Sequence, residues 1–216
     1  MVVVVLVAIL ALIAAPATRT ARDDRLCFDY ARQIQQMTAR SRARAAARGA
    51  AHLIVAGPSG IRGKVFLYEA LDSSPPPLGP NPISSCRGVN QWTIVTTFNP
   101  AAPVPPTSGA FVEGLNLDTT GVNVDADIRA SFFISAVGDP TTVVASPAVA
   151  ICVTPNGTVF AAEGSDEANA VLNMQTRAPF TGVAEFRIAR TNAGTPVGLT
   201  RVVTIAGAAA ARIQSR

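Results

Sequence analysis

The stretch MVVVVLVAILALIAAPATRTARDDRLCFDYARQIQQMTARSRARAAAR, residues 1–48, decides how the chain is read. Its first fifteen residues carry no charge and no hydrogen-bonding side chain; Pro16 follows, then a charged, arginine-rich run. A helix of a globular core keeps a polar face at the 3.6-residue period. Residues 2–15 have none, which favours lipid. Further on, Leu26, Tyr30, Ile34 and Met37 recur at helical spacing, and Ser41 and Ala45 continue that face with small groups. The pattern predicts one helix, roughly 70 Å long at 1.5 Å per residue. Its first part sits in lipid and its second part lays one face on a β-rich head. Pro16 removes a backbone donor and is expected to kink or loosen the helix, and Gly49 is its stop signal.

The apolar run is short of the roughly 20 residues that cross about 30 Å of hydrocarbon. No basic residue precedes it, as one would in a secretory signal, although Ala15-Pro16-Ala17 imitates a cleavage site. The whole chain has 216 residues, enough for one ordinary domain and an appendage. It is 49% hydrophobic and 15% charged, with a net charge of +4. That charge is local. Arg19, Arg22, Arg25, Arg32, Arg40, Arg42, Arg44 and Arg48 face three aspartates in the helix, whereas acids slightly outnumber bases in the rest. The basicity therefore belongs to the helix. Its arginines read as a solvated face suited to the negative pole of a helix, or else as partners for acids on neighbouring subunits. Nucleic-acid binding needs a basic face on a recognisable module, and none is present in the sequence.

After Gly49 the strand candidates are AHLIVAG and GKVFLYEA around a PSGIRG turn, QWTIVTTF, FVEGLNL and DIRASFFISAV. A hairpin, AICV and TVFAA, flanks Pro155-Asn156-Gly157, the strongest short turn signal in the chain. VAEFRIAR and LTRVVTIAG, with AAAARIQ behind them, close the chain across a TNAGTPVG turn. Residues 165–174 read as a short helix or a loop. Residues 72–82, with prolines at 75, 76, 77, 80 and 82, and the later run NPAAPVPPTSG are proline-rich loops that cannot supply a central strand.

Chemistry-bearing residues are sparse. His52 is the only histidine and sits at a strand start, where a structural role is the simpler reading. Asp118, Asp125 and Asp127 lie close together, but their spacing is not that of an EF-hand loop. No Gly-x-Ser-x-Gly elbow and no phosphate-binding glycine loop occurs. Cys27, Cys86 and Cys152 show no metal-ligand spacing. Cys86 and Cys152 both fall in the head, as a disulfide or as two buried thiols. The expectation is a protein that is not an enzyme, with no catalytic, cofactor-binding or metal site.

The run MVVVVLVAILALIAAP resembles the N-terminal helix of type IV pilins and type II secretion pseudopilins. In that family a glycine-ended leader precedes a Phe-Thr-Leu-Ile-Glu-like opening, an apolar run and a proline. Laid on that pattern by Pro16, this sequence lacks the leader and the first mature residues; restoring them would bring the apolar run to about 20 residues. The cleaved glycine, the methylated first residue and the fifth-position glutamate are absent from it. The segment ARSRARAAARGAAHLIVAGPSGIRGKVFLYEAL, residues 39–71, is similar to GspH/FimT-like minor pilins, where an Arg/Ala-rich helix runs into a strand, a glycine turn and another strand.

The resemblance implies an α+β, pilin-like fold: a long N-terminal helix, part transmembrane, packed on an antiparallel β-sheet head. Residues 1–16 would be the transmembrane part, 17–49 the amphipathic arginine-rich part and 50–216 the head. It implies a minor pilin or pseudopilin, a structural subunit of a type IV pilus or type II secretion pseudopilus. The helix, through Val2, Val5, Ile9, Leu12 and Pro16, would meet the inner membrane and then other subunits. The head loops would meet a secreted substrate or fibre-tip partner. The expected location is the bacterial inner membrane, single-pass, with the head in the periplasm, or outside the cell in a fibre. The alternative is a single-span envelope protein whose β domain binds a ligand or partner outside any fibre.

Overall fold

A computed structural model describes residues 2–57, 63–71, 81–87, 92, 111–117, 127–135, 139, 142–192, 195–207 and 210–216. The strand expected at QWTIVTTF, both proline-rich loops, Asp118 and Asp125 lie outside the described residues, apart from residues 81–82 and Trp92 at their margins. Helix α1 (Val2–Arg48) runs without a break through Pro16, and its side chains are described from Thr20 on. The left-handed Gly49 (φ 65°) ends it, donating its N–H to the Ala45 carbonyl at 3.1 Å. This is the single-bond cap that only a residue without a Cβ adopts freely.

The strands form two antiparallel sheets of five. The first is ordered β3 (Phe111–Asn116), β2 (Lys64–Glu69), β1 (His52–Gly57), β6 (Ala148–Val153), β7 (Val159–Gly164). The second is ordered β10 (Arg212–Ser215), β9 (Thr195–Ala206), β8 (Val183–Asn192), β4 (Asp127–Ser135), β5 (Val143–Ser146). β6 and β7 join through the expected turn. Gly157 takes φ 84°, and Asn156 Oδ1 accepts the Thr158 N–H at 3.2 Å and the Thr154 hydroxyl.

Every residue of β1, β2 and β6 is buried, so their apolar runs serve two faces rather than one. On one face Ile54, Val65, Leu67, Val149 and Ile151 meet the inner residues of the second sheet, among them Phe132, Phe186, Ile188 and Val203. The buried face of α1, made of Cys27, Tyr30, Ala31, Ile34 and Met37, belongs to that same core. Thr38 and Ser41 are also buried there; their hydroxyls donate to the Ile34 and Thr38 carbonyls of their own helix. On the other face Leu53, Val55, Tyr68, Cys152 and Phe160 are covered by Cys86 and by α2 (Glu167–Thr176), through Ala170, Val171 and Met174.

Two expectations are corrected. The α+β, pilin-like arrangement, one long helix on one antiparallel sheet, gives way to a mostly β architecture of two five-stranded sheets, with α1 and α2 packed onto them. The reason is that the first sheet is apolar on both faces and needs a cover on each, and a second sheet supplies most of one. The single-pass inner-membrane placement also falls: among the described residues no helix is long and apolar enough to cross a membrane. The apolar positions 2–15 would span about 21 Å, against about 30 Å of hydrocarbon.

Candidate functional site

Val2, Val5, Ile9, Leu12 and Pro16 recur at three- and four-residue steps on α1 and so share one face of that helix. Their side chains lie outside the described residues. The described contacts that tie α1 to the sheets run from Thr20 to Arg48. The Thr20 hydroxyl accepts from Arg190 at 3.2 Å, and the same guanidinium lies 3.9 Å from Asp23. Gln35 donates to the Ala211 carbonyl at 3.0 Å and Arg42 to the Ala206 carbonyl at 3.2 Å. Arg40 pairs with Glu113 at 3.1 Å and Arg48 with Glu69 at 2.8 Å. Among the described residues Arg40 and Arg48 therefore pair within their own chain; Arg22, Arg25, Arg32 and Arg44 are exposed. Arg40 and Arg48 are themselves exposed, whereas Glu69 and Asp23 are buried; the buried apolar face of α1 adds to these contacts.

Cys86 and Cys152 are joined in a disulfide with Cα atoms 6.0 Å apart. The bond ties the segment around Cys86 onto β6; Arg87 next to it lies over the Phe160 ring of β7, 5.1 Å from its centroid, and donates to the Arg177 carbonyl at 2.6 Å. Cys27 is free and fully buried. Burial, with Asp24 and Asp23 adding to it, pushes its thiol up to about 11, so it stays protonated and is a poor nucleophile.

His52 is fully buried at the start of β1, with Nδ1 3.1 Å from the Ala50 carbonyl. Lys64 and Glu167 form a buried pair at 2.9 Å. It fits because Gly57 has no side chain: a Cβ there would meet Glu167 Cγ at 2.6 Å. Among the described residues no three His, Cys, Asp or Glu side chains are grouped to hold a metal. Asp127 opens β4 and pairs in register with Thr191.

The outer face of the second sheet holds a feature that sequence reasoning missed, a groove of about 370 Å³. Outward-pointing residues of β4 (Arg129, Ser131, Phe133), β8 (Arg187, Ala189, Thr191) and β9 (Pro196, Thr200, Val202) line it, together with Arg216. Register sets Arg129 opposite Ala189 and Ser131 opposite Arg187, so small side chains form the floor. The β8–β9 pairing shifts between Ile188 and Arg190, and the left-handed Gly198 (φ 82°) lies in the extra β9 residues, which bow that strand away. The Arg187 guanidinium lies 3.7 Å from the Phe133 ring centroid and donates to Glu185 Oε2 from Nε and Nη2, at 2.9 and 2.7 Å. Arg216 reaches the other Glu185 oxygen at 3.4 Å. The one available sequence signal is the alternation in DIRASFF and EFRIA, which marks these residues as outward but not as neighbours.

Compared with known proteins, the chain matches no family model, no curated protein and no solved structure.

Proposed function

We propose that the chain is a structural subunit of a helix-cored fibre, a minor pilin or pseudopilin, assembled through the apolar first part of α1. The observation that carries this reading is the continuity of α1: one 47-residue helix joins residues 2–15, which have no polar face, to a portion buried in the core. A helix apolar all round needs a cover on every side. Like helices of neighbouring subunits supply it. Each Val, Ile or Leu buried there stabilises the assembly by about 1.5–3 kcal/mol. Val2, Val5, Ile9 and Leu12 form the stripe through which a first neighbour docks. No cofactor enters this role; the partners are other subunits, with a secreted substrate or tip protein at the loops of the β domain.

The test uses a single introduced thiol. Cys86 and Cys152 are bonded and Cys27 is buried, so Ile9→Cys places one reactive thiol on the stripe. The full chain is expected to sediment as large assemblies, with Ile9→Cys giving a ladder of bismaleimide-linked species. Ile9→Asp should abolish both while leaving the β domain folded. A monomer at every concentration, with no cross-linked species, would end the proposal and leave the rival, a β domain that binds a ligand or partner outside any fibre.

A further inference from the structure

We propose that the groove on the outer face of the second sheet binds a small organic anion, a carboxylate or phosphate ester on an aromatic or aliphatic body. Three observations converge on that ligand. The first is size: about 370 Å³ falls in the range of small-molecule sites, roughly 300–1,000 Å³.

The second is charge. Among the described residues no acid lines the groove, whereas Arg129, Arg187 and Arg216 do. At one end Arg187 and Arg216 share the single side-chain carboxylate of Glu185, two guanidinium groups to one acidic side chain. An anion complements it; a cation or a neutral sugar does not.

The third is preorganisation. Two hydrogen bonds to Glu185 and the Phe133 ring hold the Arg187 guanidinium in one plane, so its remaining N–H donors are aimed before any ligand arrives. A side chain fixed in advance loses little rotamer entropy on binding. The Ser131 and Thr200 hydroxyls add neutral polar groups, and Phe133, Pro196 and Val202 give the ligand's body an apolar wall. This site is independent of assembly through α1, because it lies on the sheet face opposite the core in which α1 packs.

The experiment is a titration of the full chain with phenyl phosphate, benzoate and citrate, and with phenol as the neutral control. Heats of binding and backbone amide shifts are the readouts. The expected result is saturable binding of at least one anion, no binding of phenol, and shifts confined to β4, β8, β9 and Arg216. Arg187→Gln should weaken binding about tenfold or more, the usual effect of losing a charged hydrogen bond. Arg187→Lys should weaken it too, because an ammonium keeps the charge but loses the planar fork. Arg216→Gln, at an exposed position, covers the case in which an Arg187 variant fails to fold, and should also lower the affinity. The proposal is overturned if no anion saturates in the millimolar range, if phenol binds as well, or if folded variants keep the parent affinity.

Discussion

His52 shows how much one buried side chain settles. Its Nδ1 faces a carbonyl oxygen, so the proton of the neutral ring sits there and donates to Ala50. Nε2 is buried with no partner among the described residues. Burial lowers the pKa of the ring from 6.5; the Ala50 hydrogen bond and Glu69 oppose that shift, and Arg44 and Arg48 reinforce it. The unfolded chain therefore binds a proton on His52 more readily than the folded one. Stability is complete above the unfolded value, near 6.5, and declines as the pH falls below it toward the folded value. Urea unfolding of the parent and of His52→Gln between pH 7 and about pH 5 checks this. The parent should lose stability faster over that window, and parallel slopes would show that the ring does not titrate between the two states. The sequence already made a structural role the simpler reading of this lone histidine, but not its burial or its tautomer, because both depend on what β1 packs against.

At the scale of elements, what was legible was local. The Gly49 stop and the Asn156-Gly157 hairpin hold because a left-handed residue is a property of a few neighbouring positions. The buried stripe of α1 follows from helical spacing alone. β5 (Val143–Ser146) was not legible: four residues, half-buried or exposed, on the edge of a sheet carry no alternation to read. Helix α2 was ambiguous between helix and loop; the Asp166 carboxylate that accepts the Asn169 N–H at 2.8 Å caps it. Its seat on the sheet depends on Gly164. A Cβ there would lie 2.7 Å from Ala170 Cα, a backbone atom that can move only if the helix moves. Gly164→Ala should therefore cost about 1–3 kcal/mol, the usual size of overpacking. Gly157→Ala is the control, since nothing lies within 4 Å of its Cβ and only its φ of 84° opposes the change. In urea unfolding with near-native amide spectra, a loss at Gly164 of only a few tenths of a kcal/mol would mean that α2 does not seat this closely.

For the whole molecule the decisive property is the order in which the chain visits its two sheets. It builds β1, β2 and β3 of the first sheet, crosses to β4 and β5 of the second, returns for β6 and β7, and crosses again for β8, β9 and β10. Neither sheet is a continuous piece of sequence. A reading based on local periodicity finds the strands but not their division, and the groove arginines, drawn from β4, β8 and Arg216, are invisible as a group for the same reason. The disulfide spans the first excursion: 66 residues separate Cys86 from Cys152, and β3, β4 and β5 lie between them. In the chain-entropy account, closing a loop of that length stabilises the fold by about 4 kcal/mol, a large part of the roughly 5–15 kcal/mol of a typical domain. Cys86→Ala with Cys152→Ala should thus lower the unfolding free energy by about 2–4 kcal/mol, allowing for compactness in the unfolded chain. Because one core joins both sheets and α1, the loss should appear as a single transition at a lower melting temperature. Circular dichroism and the fluorescence of Trp92, whose indole packs against the outer core of the first sheet, follow the two levels. If the Trp92 signal melted well before the β signal, the sheets would be separable units. The interleaved path would then not bind them into one cooperative fold.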